Sequence, residues 1–266
     1  MKRTHPPLKL HKSPLVMVLA QVRISHVAKM GDYVDDVQER LRRNGFPRFD
    51  RGRAHEILLR PGLQPEIREH PRWEFQNKER STGITVMQNA IVLHTNSYDT
   101  FDHFAESLRL ALEVIGDAAK PALVERLGLR YVDLIRPDPD ESWTAYLKEG
   151  LHGLSPDAIG MAEGLQRHET VGLTKAGQLV IRCVQSKDGG FLPADLSPSS
   201  LDYSKVTLRP GELVTLLDLD HFSQATRDFD VDTVMAAMWD LHENLDVSFR
   251  EAVTGHALKK WEAQSL

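Results

Sequence analysis

The chain has little cysteine: Cys183 is the only one in 266 residues. That excludes a disulfide within the chain and any zinc cage built from several thiolates, and a reducing cytoplasm is the compartment that fits. Long hydrophobic runs are also missing. The best, PLVMVLAQV from Pro14, is about half the length a membrane-spanning helix needs. The basic start MKRTHPPLKLHK runs into strand-like alternation without a small-residue cleavage site, so no signal peptide is expected. Residues 1–12 are expected to be a flexible tail. There is no surplus of positive charge: 33 Lys and Arg against 38 Asp and Glu leave −5, which favours solubility and argues against a generally basic nucleic-acid binder. No Walker A loop, dinucleotide fingerprint, nucleophile elbow or HExxH is found. KDGG at 187–190 lacks the strand-to-helix setting of a phosphate cradle. Neither a cofactor nor a metal is expected.

What remains is an ordinary globular composition, 41% hydrophobic and 27% charged, with 17 Gly and 14 Pro. Val, Leu and Ile in LVMVLAQVRIS predict a strand over 15–25. In DYVDDVQERLRRNG, Val34, Val37 and Leu41 share a helical face, with Asp32 placed to cap the start and Gly45 to end it in the left-handed conformation. Strands are expected at 46–50, 55–60, 73–79 and 83–95, the last a hairpin turning at Gln88-Asn89. The strongest periodicity follows: Phe101, Phe104, Leu108, Leu112 and Ile115 recur every three or four residues, the mark of a helix burying one stripe.

The second half repeats this order. LGLRYVDLI predicts a strand, and SWTAYLKEGLHGL a short helix with Trp143, Leu147, Leu151 and Leu154 on one side. ETVGLTKAGQLVIRCVQS predicts a hairpin turning near Ala176-Gly177, ELVTLLDLDHFS a strand, and DVDTVMAAMWDLHENLDVSFREAV a long helix. Strand, helix, strands, helix therefore occurs twice, over 13–120 and 121–266, with no Gly/Ser linker between the halves. A half-sheet with helices on one face has an edge that wants a partner. The expected fold is α+β: a single domain, 13–266, in which two pseudo-repeats join into one curved, mainly antiparallel sheet with helices on one face. Between two of the strands, residues 185–212 form a long Ser-, Asp-, Gly- and Pro-rich loop, either a binding loop or a solvated insertion.

Several side chains carry candidate chemistry. In RLGLRYVDLIRP, Arg130 and Asp133 are an odd number of positions apart and so point to opposite faces of the strand. Arg130 is expected on the face away from the helices, ending either in a groove or in a buried salt bridge. Asp133 is expected near the strand end, within reach of water or a partner. Trp73, Phe75, Arg130 and Tyr131 are candidate anchors for a peptide laid on that open face, with core filling the alternative for each aromatic. In LLDLDH, Asp218, Asp220 and His221 with Arg130 could form a composite metal-dependent site; the alternative is a solvent-facing alternation. The segment 39–60 holds seven Arg against three acids. Arg42, Arg43, Arg48, Arg51 and Arg53, with Phe46 and Phe49, could meet nucleic acid, or Arg48, Arg51 and Arg53 an anionic peptide.

The segments SPLVMVLAQVRIS, RWEFQNKE, TNSYDTFDHF and RLGLRYVDLI resemble a sporadically distributed bacterial family of unknown function. Its best-marked motif is Arg-Leu-Gly-Leu-Arg-Tyr, an apolar residue and Asn; Asp133 stands here at the Asn position. The element order is also similar to that of accessory proteins in ribosomal peptide natural-product pathways, which hold a precursor peptide for a partner enzyme. That likeness implies a non-catalytic binding protein for a peptide or protein partner; by charge, nucleic acid is disfavoured as a partner, and by hydropathy no membrane role is expected. A homodimer is the default oligomer.

Overall fold

The computed structural model describes residues 6, 8–58, 66–155, 157–161, 164–187, 190–196 and 199–265, with side chains described except at 54–58, 66–68 and 157. The first half runs β1 (Leu8–Leu10), β2 (Leu15–Ile24), α1 (Met30–Arg43), β3 (Arg48–Leu58), β4 (Glu66–Gln76), β5 (Thr82–Met87), β6 (Ala90–Thr95) and α2 (Phe101–Ala119). The second runs β7 (Leu123–Ile135), β8 (Arg167–Leu173), β9 (Gln178–Lys187), β10 (Leu213–Ser223), β11 (Arg227–Asp228), α3 (Val231–Ala252), α4 (Gly255–Lys260) and β12 (Ala263–Ser265). Ten strands form one sheet in the order β3-β4-β5-β6-β2-β7-β10-β9-β8, with β11 beside the start of β7. Every pairing is antiparallel. β1 and β12 make a separate two-stranded ribbon.

The fold is α+β as expected, and the strand order is consistent with two pseudo-repeats, except that the second half has, among the described residues, no α-helix where α1 stands in the first. β2 and β7, the first long strand of each half, meet at the centre, where Leu19 faces Arg130 and Gln21 faces Gly128. Outward from that seam β2 is followed by β6, β5 and β4, as β7 is by β10, β9 and β8. Joining the halves removes one edge from each, which is the physical reason for a single sheet. The helices cover one face. α2 starts at Thr100, whose Oγ1 accepts from the His103 amide, and ends at Lys120 in the left-handed conformation. α3 starts at Asp230, whose carboxylate accepts from the Thr233 amide at 2.8 Å. Their apolar stripes, Leu108, Leu112 and Ile115 on α2 and Val234, Met238, Leu241 and Leu245 on α3, pack with Val18, Ala20, Val22, Leu127 and Leu129 from the seam strands into one core.

Local expectations needed correction in places. Residues 142–154 are not an α-helix but two 3₁₀ turns, Trp143–Ala145 and Glu149–Leu151. Their backbone bonds outward to the end of α3, through Lys148 to Ala252 and Thr254 to Tyr146, and Leu154 is left exposed. Asp32 lies in the first turn of α1, which has no side-chain cap; Gly45 does take the left-handed conformation, φ +94°. The two strands expected at 46–50 and 55–60 are the single β3, with 59–60 outside the described residues. Of the expected flexible tail, residues 8–12 form β1 and a turn; 1–5 and 7 lie outside the described residues. α4 and β12 follow α3, where sequence periodicity had given no element. Among the described residues, no helix is long and apolar enough to cross a membrane.

Candidate functional site

Strand alternation assigns the two faces of the sheet. On β7, Leu127, Leu129 and Ile135 join the helix-side core, while Val132 and Leu134 belong to a second apolar cluster on the opposite face. Arg130 shares that opposite face, as expected, and of the two endings offered for it the structure gives the buried salt bridge and not the groove. Its Nε and Nη2 donate to Asp218 Oδ1 and Oδ2 at 2.7 and 2.8 Å, a two-pronged fork. Its Nη1 donates to Asp195 Oδ2 at 2.5 Å. The Arg130 side chain is 10% exposed and that of Asp218 3%. Burial works against the Arg130 cation, but its bonds to Asp218 and Asp195 outweigh that and hold its pKa above the ordinary arginine value. Arg182 extends the network, with Nη1 donating to Asp218 at 3.2 Å and Nε to Glu169 at 2.5 Å.

Asp195 belongs to the expected 185–212 loop, of which 185–187 are the end of β9 and the other described residues, 190–196 and 199–212, lie across this face as a strap. Phe191, Leu192, Leu196, Tyr203, Val206 and Leu208 pack on Val16, Met17, Val132, Leu134, Val214 and Leu216. The strap then crosses the seam into the first half. The Gln76 side-chain amide donates to the Ser200 carbonyl at 3.0 Å, Ser200 Oγ bonds Glu74, and Asn96 donates to the Asp202 carbonyl at 2.7 Å. Beside the strap, Arg126 stays partly accessible, with Nη1 donating to Gln21 at 2.8 Å and its guanidinium 4.5 Å from the centre of the Phe222 ring. Gly128 makes this possible, since a Cβ there would lie 2.7 Å from Arg126 Nη1.

The other candidates do not converge on Arg130. Trp73 and Phe75 lie in the helix-side core, Phe75 fully buried, so neither offers a peptide a surface. The odd positions of β4 point to the helices. Tyr131 also faces the helices, with its hydroxyl 3.1 Å from His242 Nδ1 and 3.4 Å from the Tyr98 hydroxyl. Arg48 donates to the Lys78 carbonyl, Arg51 pairs with Asp35 and Arg53 with Glu69. Arg42 and Arg43 both pair with Glu39 on their own helix, so the described Arg of this segment apart from Arg48 are each paired with an acid. Asp218 and Asp220 share the strap face, but His221 projects to the other and bonds Thr174 and the Leu241 carbonyl. Among the described residues no group of three His, Cys, Asp or Glu is placed to hold a metal ion. Asp133 is 2% exposed, walled in on the helix side rather than open to water at a strand end.

Two features escaped the sequence. One is the outer edge of β8, with no neighbouring strand among the described residues. Val171 and Leu173 there are 55% and 86% exposed, and Leu154, Ile159, Met161 and Leu165 are exposed as well. In sequence ETVGLT reads as an ordinary strand; only its place in the sheet makes it an edge. The other is the pocket behind Asp133. No family model matches the chain, and no curated protein or solved structure matches it.

Proposed function

We propose that this chain is a non-catalytic binding protein that recognises an extended segment of a peptide or protein partner by strand addition at β8. The distribution of exposed apolar side chains carries the reading. Of the seven large exposed hydrophobics among the described residues, six lie between residues 154 and 173, on β8 and the segment leading to it, so the exposure is local and not scattered. Edge strands are ordinarily blunted by charge, Pro or a bulge; β8 instead ends in Val-Gly-Leu. By register with β9 and β10, Glu169, Val171 and Leu173 continue the face that holds Arg182 and Asp218. An added strand would find main-chain donors and acceptors along β8, alternate apolar contacts at Val171 and Leu173, and charge at Glu169. Arg130, Asp218 and Arg182 would then be the rigid framework behind the rim, not the contact itself. The likeness in element order makes a precursor peptide of a ribosomal natural-product pathway the partner class to test first.

The test is selection from a displayed peptide library, followed by hydrogen exchange on the complex. Selected peptides should alternate apolar residues and protect the amides of β8, and Leu173→Asp should weaken them at least tenfold. Protection confined to some other surface, or selection that enriches nothing, would sink the reading. Light scattering separates the remaining occupant: a dimer dispersed by Leu173→Asp would mean that a second copy takes the edge.

A further inference from the structure

Between the sheet and the helices α2 and α3 lies a cavity of about 110 Å³. A single water takes about 10–15 Å³ on such a scale, so there is room for a small organic molecule. Tyr131 and Asp133 come into it from β7, Phe101 from α2, and Trp239 and His242 from α3, while Leu8 and Leu10 of β1 close one side. The aromatic wall is continuous: Phe101 stacks on His242 with ring centres 4.0 Å apart and meets Trp239 edge-on at 4.6 Å.

The charges in this lining are one-sided. Five carboxylates border the cavity, Asp99, Asp102, Asp133, Glu243 and Asp246, and no Lys or Arg does. Two of the rim acids are answered from outside it, Asp99 by Lys9 at 2.6 Å and Asp246 by Arg250 at 2.8 Å. Asp133 is the independent observation. Its Oδ2 is buried and has no hydrogen-bond partner, although the residue is 2% exposed and lines the cavity. A buried carboxylate oxygen left without a partner is expensive unless something supplies a proton or a positive charge. Burial first, and then the Asp218 carboxylate, push the Asp133 pKa up to about 8, which is the response of an acid lacking its counter-charge. Aromatic faces beside an unanswered acid suit a cation with an apolar body.

We propose that this cavity binds a small organic cation, a primary ammonium on an apolar or aromatic stem, with Asp133 as its counter-charge. The ammonium would donate to Asp133 Oδ2 and to the Tyr98 and Tyr131 hydroxyl oxygens, and the stem would lie against Phe101 and Trp239. A free amine and a lysine side chain share this chemistry. The proposal does not depend on strand addition at β8.

Calorimetry on the full chain at pH 7.5 tests it with phenethylamine and butylamine as free cations, Nα-acetyl-lysine N-methylamide, its ε-ammonium free, as the lysine arm, and 2-phenylethanol as the neutral counterpart. At least one ammonium should bind one to one and raise the melting temperature. Asp133→Asn should weaken it at least tenfold, and Tyr98→Phe a few-fold, with circular dichroism unchanged in both. 2-Phenylethanol should bind more weakly and be indifferent to Asp133→Asn. Binding by the lysine arm alone would support the site and assign it to a peptide side chain; binding by the free amines alone would assign it to a metabolite. The proposal is overturned if no ammonium binds the folded protein, if Asp133→Asn binds as tightly as the parent, or if the alcohol binds as well as the amine.

Discussion

Arg130 and Asp133 stand three positions apart on β7 and meet opposite fates, one ion-paired under the strap and the other alone behind the helices. Removing Arg130 would leave Asp218 buried with only Arg182 nearby. Arg130→Met is therefore expected to destabilise the fold by about 3–5 kcal/mol. The pair Arg130→Met with Asp218→Leu should recover most of that loss, because the two most buried charges go together and those left, Asp195 and Arg182, are more exposed, Arg182 still pairing with Glu169. Urea denaturation of the three variants measures the coupling. Asp133 is expected to make stability fall with pH. The unfolded chain gives up this proton near pH 3.9, whereas the folded protein keeps it to about 8. Between those values the folded state holds more protons, so stability declines as pH rises through the window and levels off above it. Asp133→Asn should flatten the decline by at least ~1 kcal/mol between pH 5 and 8, measured in urea. The same substitution is the one expected to weaken amine binding. The charges of Arg130 and Asp133 were legible as opposite-facing because parity alone decides that. The partners of Arg130 were not, since Asp195 and Asp218 lie 65 and 88 positions away.

Among the elements, α2 was the most legible, because its apolar period needs no information beyond its own residues. The segment at 142–154 shows the opposite case: its apolar spacing suits a helix, but hydrogen bonds to the end of α3 win and leave 3₁₀ turns. β8 looked like a strand and is one; that it is an edge is a property of the sheet. The 185–212 loop offered composition and length but no periodicity, and its packing had to be seen. Leu192 and Leu201 are buried in it, at 8% and 5% exposure. Replacing both with Asp should lift the strap from the sheet. Trypsin should then cut after Lys205 at least about tenfold faster, while far-ultraviolet circular dichroism stays that of the parent because the helix-side core is untouched. An unchanged cleavage rate would mean that the polar ties through Ser200 and Asp202 hold the strap without its apolar anchors.

At the scale of the molecule, the β2–β7 seam joins the two halves in the middle of the sheet, and α2 packs against α3 across it. Fragments 1–120 and 121–266 would each expose one seam strand and half of the core. Each alone is expected to aggregate or to unfold without cooperativity, and the two refolded together to restore one species with the parent's melting profile; circular dichroism and gel filtration of the separate and mixed fragments check this. Two fragments that each melt cooperatively would show two domains instead. By itself the sequence determined most element types, much of their order and the alternation of side chains along each strand, because these follow from local periodicity; it misread 142–154 and the face that Trp73, Phe75 and Tyr131 take. Tertiary structure alone decided which strands became edges, that the strap covers Arg130, and that Asp133 opens into a cavity without a partner. Those outcomes depend on which distant groups arrive to satisfy a charge or a backbone edge, and no local pattern encodes that arrival.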